Sequence, residues 1–62
     1  MYWLVTYEHQ GQLGEEVWRG SLGKWRLDAL RLEERAQSGP YFLVNAVTIS
    51  EDEYYQLEHK IG

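Results

Sequence analysis

The chain opens on Tyr2-Trp3-Leu4-Val5-Thr6-Tyr7, a run of aromatic, aliphatic and β-branched residues without helical period, which predicts a strand. A polar run from His9 to Gly14 then predicts the turn of a hairpin, and Glu16-Val17-Trp18-Arg19 returns as a short second strand that stops at Gly20. Ser21 is placed to cap a helix. Beyond it, Leu22, Trp25, Ala29, Leu32 and Ala36 recur at alternating spacings of three and four, which sets them on one helix face. Gly23 weakens the first turn and moves the expected start toward Lys24. Gln37-Ser38-Gly39-Pro40 should end the helix, because glycine accepts the left-handed C′ position and proline cannot continue. Tyr41 to Ile49 is apolar on both alternating faces except at Asn45 and Thr48, the pattern of a well-buried strand. Ser50 and Glu53 then form a capping box, with Ile49 and Tyr54 spaced for a hydrophobic staple. A second helix from about Glu51 to Lys60 follows, with Tyr54, Leu57 and Ile61 inward and Glu51, Asp52 and Glu53 at the positive end of its dipole.

The order β-β-α-β-α predicts one α+β domain over residues 1–62. A right-handed crossover through the first helix lays the third strand parallel to the second, and it fits best beside the first. The expected sheet has three strands in the order 2-1-3, with the amino-terminal strand central and two helices on one face. The other face is then open, and it or a sheet edge is expected to carry a partner or a second copy.

Composition sharpens this picture. A chain of 62 residues with 44% apolar and 15% aromatic content supports one small core, and with no cysteine it has no disulfide to reinforce it. Marginal stability, helped by aromatic packing or self-association, is the consequence. The formal net charge of −4 argues against binding a phosphate backbone by the whole surface. The charge is uneven: residues 1–18 carry −3, residues 19–35 carry +2 and residues 36–62 carry −3. No apolar run approaches the roughly 20 residues of a membrane span, and the start lacks the pattern of a signal peptide. No membrane association and a cytoplasmic address are expected.

Candidate chemistry is sparse. Gly20-Ser21-Leu22-Gly23-Lys24-Trp25 has the glycines and lysine of a phosphate loop, but Trp18 stands where its first glycine belongs and Trp25 where its hydroxyl residue belongs. His9 and His59 are the only histidines and lie far apart in sequence, which does not make a zinc ligand set. Ser21, Ser38 and Ser50 do not stand in a nucleophile elbow. We expect no catalytic residues, no metal, no cofactor and no enzyme activity. The first helix is more suggestive. Lys24, Arg31 and Arg35 project opposite its apolar stripe, with Asp28 and Glu34 among them, while Leu27 and Leu30 fall on or beside that basic face. Leu27, Leu30, Arg31 and Arg35 are therefore candidate partner-binding residues, and Glu51, Asp52 and Glu53 form a second, acidic candidate that could mimic a run of phosphates. Three tryptophans and five tyrosines exceed what one small core can hide, and such rings are typical of interfaces. Stacking of nucleic-acid bases would need basic surroundings, whereas Glu8, Glu15 and Glu16 flank the amino-terminal rings.

Taken together, Tyr2-Trp3-Leu4-Val5-Thr6-Tyr7, the isolated Trp18, Trp25 early in the helix and Asn45-Ala46-Val47-Thr48-Ile49-Ser50-Glu51 resemble small uncharacterised accessory proteins of phages, prophages and other mobile elements of Gram-negative bacteria. Such genes include anti-CRISPR inhibitors. The resemblance implies a compact protein that acts by binding, as an inhibitor or adaptor that occludes a host or phage protein complex. The alternatives are a homodimeric structural protein, joined through the open sheet face or an edge, and a weak nucleic-acid binder acting through the basic first helix.

Overall fold

The computed structural model describes residues 1–37 and 39–61, the last of these for its backbone alone. Ser38 in the expected helix stop and the Ile61 side chain in the expected inward stripe thus lie outside the described residues. The chain forms strands β1 (Tyr2–His9) and β2 (Gln12–Arg19), helix α1 (Leu22–Ala36), strand β3 (Tyr41–Ile49) and helix α2 (Glu51–Ile61). The sheet order is β2-β1-β3, with β1 antiparallel to both neighbours, as the pattern of elements predicts.

The hairpin is tighter than the glycine run suggests. Its loop is Gln10-Gly11 alone, with φ of 54° and 79°, the pair of positive angles that matches the twist of the flanking strands. Gly14 is therefore a strand residue with a packing role: a Cβ there would stand 2.5 Å from the Tyr7 ring. Helix α1 starts at Leu22 despite Gly23, because the Ser21 hydroxyl accepts a hydrogen bond from the Lys24 N–H at 3.3 Å. It stops at Gln37, which itself takes the left-handed conformation at φ 51° and donates its N–H to the Glu33 carbonyl at 2.9 Å. The capping box of α2 forms as expected: Ser50 N–H donates to Glu53 Oε1 at 3.2 Å, and Glu53 N–H donates to Ser50 Oγ at 3.1 Å.

Side-chain alternation along β1 assigns the two faces. Val5 is fully buried with Trp25 and Ala29 of α1, and Trp3, Tyr7, Trp18, Leu22, Tyr41 and Ala46 pack around them. Tyr2 points the other way, since it is three residues from Val5 on an unbroken strand, and its ring meets Tyr54 of α2 at 4.9 Å and Tyr55 at 6.5 Å. The helices accordingly cover opposite faces, not one. The crossover helix α1 is bound to one side of the sheet by its two flanking strands. Helix α2 folds back under the end of β1 and β2, where Tyr2 offers an aromatic seat.

The second correction concerns β3. Its continuous apolar run predicts burial, yet Phe42, Leu43, Val44 and Val47 are all exposed and only Tyr41, Ala46 and Ile49 are half-buried. A three-stranded sheet has one central strand, and β1 takes that place. Strand β3 is an edge whose inner neighbour is β1, while α2 leans toward β2 and leaves the lower face of β3 uncovered. A bulge at Val44, where Thr6 pairs with Asn45 but Tyr7 with Leu43, further disturbs the strand. The face opposite α1 is thus neither fully open nor closed.

Candidate functional site

Two tryptophans lock the joint between β2 and α1. Gly20, at φ 125°, turns the chain and donates its N–H to the Met1 carbonyl at 2.8 Å. The Trp3 indole N–H donates to the Gly20 carbonyl at 2.9 Å, and the Trp18 indole N–H to the Ser21 carbonyl at 2.8 Å. These bonds hold the first turns of α1 against the end of β2. Between them opens a cleft of about 400 Å³ lined by Trp18, Arg19, Lys24, Leu27, Asp28 and Arg31. Lys24 and Arg31 flank Asp28 beside an apolar strip made of the Trp18 indole and a leucine that is 56% exposed, while Arg19 borders the cleft from a strand position opposite Tyr2, where its charge acts on that ring.

This cleft contains two of the sequence-derived helix candidates, Leu27 and Arg31. Leu30 and Arg35 are not in its lining; at 100° per residue Leu30 falls 60° from Leu27, away from Arg31, and Arg35 lies a turn further along the helix. Sequence reasoning did not include Trp18 and Arg19, which come from another element. The signal that could have found them is the Gly20-Ser21 turn, which must return the chain over the strand it has just left. The acidic candidates are elsewhere. Glu51, Asp52 and Glu53 are exposed in the first turn of α2, on the face opposite α1, with Glu53 engaged in the capping box. Glu51 acts on Tyr2, whose phenol pKa is raised, first by partial burial and next by this carboxylate.

A second, smaller cavity of about 100 Å³ lies under the carboxyl-terminal half of α1, lined by Tyr7, Glu16, Trp25, Ala29, Leu32 and Tyr41. It explains why Leu32, placed in the inward stripe by its spacing, is 48% exposed: it borders the cavity instead of filling it. The Trp25 indole N–H donates to Glu16 Oε1. The Tyr7 ring is 6.4 Å from that of Trp25 and 5.6 Å from that of Tyr41. Burial, then the Glu16 carboxylate, raises the Tyr7 pKa and keeps its hydroxyl a neutral phenol. His9 closes the far side of this aromatic group by stacking on Tyr41 at 3.8 Å.

Among the described residues, no group of three or more His, Asp or Glu side chains is placed to hold a metal ion, and no helix is long and apolar enough to cross a membrane. Comparison of the chain with protein-family models, curated proteins and solved structures found no match.

Proposed function

We propose that this is a non-enzymatic protein-binding module whose cleft between β2 and α1 grips an acidic segment of its partner. The observation that carries this reading is the charge and shape of the cleft: Lys24 and Arg31 border the Trp18 and Leu27 strip, so a partner residue with an apolar body can enter while flanking carboxylates meet the two cations. Trp and Arg are the residues that most often dominate binding energy, and Trp18 is already fixed by its bond to Ser21. A 62-residue protein bound in this way acts by occlusion, as an inhibitor or adaptor on a larger host or phage complex, in keeping with the likeness to accessory proteins of mobile elements. An anti-CRISPR-like role belongs to this class of action.

The test uses the whole chain and a peptide with a central leucine flanked by glutamates, followed by chemical-shift mapping. Shifts at Trp18, Leu27 and Arg31 that vanish in the Lys24→Glu/Arg31→Glu variant are expected. Shifts that persist in this variant, or map to Glu51, Asp52 and Glu53, overturn the assignment. Single-stranded DNA is the control ligand; if it binds the cleft in preference to the peptide, with a steep salt dependence, the partner is nucleic acid instead.

The β3 edge favours a second reading, a homodimer. It is a nine-residue edge strand without a single charge, so two copies of this −4 protein can meet there without opposing like charges, whereas the β2 edge carries Glu15 and Glu16. Sedimentation over a concentration series separates the two readings, since Val44→Lys abolishes an edge-paired dimer and leaves the cleft untouched.

A further inference from the structure

The small cavity under α1 has a chemistry unlike that of the cleft. Three of its six lining residues are aromatic, one is a carboxylate, and none is a cation. The Tyr7 ring is inclined by 42° to Trp25 and by 61° to Tyr41, so the rings converge on the space as walls and do not stack flat to close it. Aromatic faces attract cations through the ring quadrupole, most strongly where water is excluded. Glu16 adds a full negative charge to the same walls, held in place by the Trp25 indole. Leu32 is the most exposed of the lining residues and marks the side from which a ligand enters.

We infer that the cavity lined by Tyr7, Glu16, Trp25 and Tyr41 binds a methylated ammonium group. The size fits one such head group and little more, because about 100 Å³ corresponds to roughly three to four water volumes. The donor count selects methylation. An unmodified lysine ammonium brings three N–H donors that need acceptors, whereas the walls are largely rings and aliphatic side chains, and the single carboxylate, Glu16, already accepts the Trp25 bond at one oxygen. A quaternary ammonium needs no acceptors, is weakly hydrated and is held by ring faces and one countercharge. The shared chemistry covers a free choline-type ligand and a trimethyl-lysine side chain on a protein.

The experiment titrates the full-length protein with tetramethylammonium chloride and follows the Trp25 indole N–H and the Tyr7 and Tyr41 rings by NMR. The uncharged near-isostere tert-butanol and sodium chloride serve as controls. Saturable shifts confined to this cavity are expected with the cation alone. Two variants carry the argument. Glu16→Gln keeps an acceptor for Trp25 but removes the charge, and should weaken binding about fivefold or more. Leu32→Lys alters an exposed side chain at the mouth and supplies a tethered competing cation, so tetramethylammonium binding should be lost while the thermal transition is kept. Trimethyl-lysine in a short peptide, compared with free choline, then identifies the source of the head group. Absence of saturable shifts in the folded protein, equal binding of tert-butanol, or unchanged affinity in both variants overturns the inference. None of these results depends on the cleft, which is tested separately by its acidic peptide.

Discussion

The two faces of the sheet are built from the same strands yet hold very different amounts of structure. On the α1 face, Val5, Trp25 and Ala29 are buried and five aromatic or aliphatic neighbours close around them, along with Ala46. On the α2 face no described residue is buried; Tyr2, Tyr54 and Tyr55 form an aromatic cluster at one end, and Phe42, Val47 and Leu13 remain exposed. Connectivity accounts for the difference. Helix α1 is tied at its start to β1 and β2 by the tryptophan hydrogen bonds, and along its length to β3 by Arg26, whose guanidinium donates to the Tyr41 carbonyl at 2.6 Å, and by Glu33, whose carboxylate accepts the Tyr41 N–H. Helix α2 is tied at its start by the Ser50 capping box and rests on the sheet through the Tyr2, Tyr54 and Tyr55 rings. Stability should therefore reside on the α1 face, with α2 as a peripheral element.

The largest test of that contrast is Trp25→Ala against Tyr54→Ala. Removing the Trp25 ring should cost about 3–5 kcal/mol, close to the roughly 3–9 kcal/mol that a domain of this length holds in total, and abolish the cooperative transition in urea. Removing the half-buried Tyr54 ring should cost only about 1–2 kcal/mol and preserve it. Equal losses would show that the faces contribute alike.

Gly14→Ala comes next. A Cβ at this position would stand 2.5–2.8 Å from three atoms of the Tyr7 ring and must displace it from the core face, at a cost of about 1–3 kcal/mol in a denaturation midpoint. The same ring gives the α1 face its pH dependence. The folded-state pKa of Tyr7 lies above its ordinary value of 10.0, so the unfolded chain ionises first. The stability that Tyr7 contributes is complete below about pH 10 and is lost as the pH rises through the folded-state value. Alkaline titration of thermal stability should show a fall that is shallower in Tyr7→Phe.

Ser50→Ala is a smaller and more local perturbation. It deletes the hydroxyl that accepts the Glu53 N–H and should cost about 1 kcal/mol. If α2 opens independently, amide exchange should accelerate throughout 51–61 while β1 amides keep their protection. Uniform acceleration would mean that α2 unfolds only with the whole domain.

Local signals in the sequence were sufficient for the elements, and global ones for the strand order. The capping box at Ser50 and Glu53, the cap at Ser21 and the stripe through Trp25 and Ala29 all depend on spacings of three and four, which a sequence displays directly. Burial is a property of neighbours. Nothing within Tyr41–Ile49 says that the strand ends up beside only one other, so its apolar run read as interior. The face taken by α2 was hidden for a related reason: Tyr2 and Trp3 are equally attractive aromatic seats on opposite sides, and only the path after Ile49 decides between them. The cleft was half legible, since Leu27 and Arg31 share a helix face, while Trp18 and Arg19 join them through the Gly20 turn.

Val47→Thr is the smallest expected effect and the most discriminating for β3. In the interior of a sheet, replacing a valine methyl by a hydroxyl removes apolar contact and buries a polar group, which makes it a costly change. Val47 is 44% exposed on an edge strand, opposite Leu4, where threonine keeps the β-branched shape and its hydroxyl reaches water. The monomer should therefore change by no more than about 0.5 kcal/mol. If β3 pairs with a second copy, the same substitution wets the contact, and the thermal midpoint should become less dependent on protein concentration than in the parent chain. A midpoint that is independent of concentration in both proteins, with the small shift intact, assigns β3 to solvent and leaves the β2–α1 cleft as the binding surface.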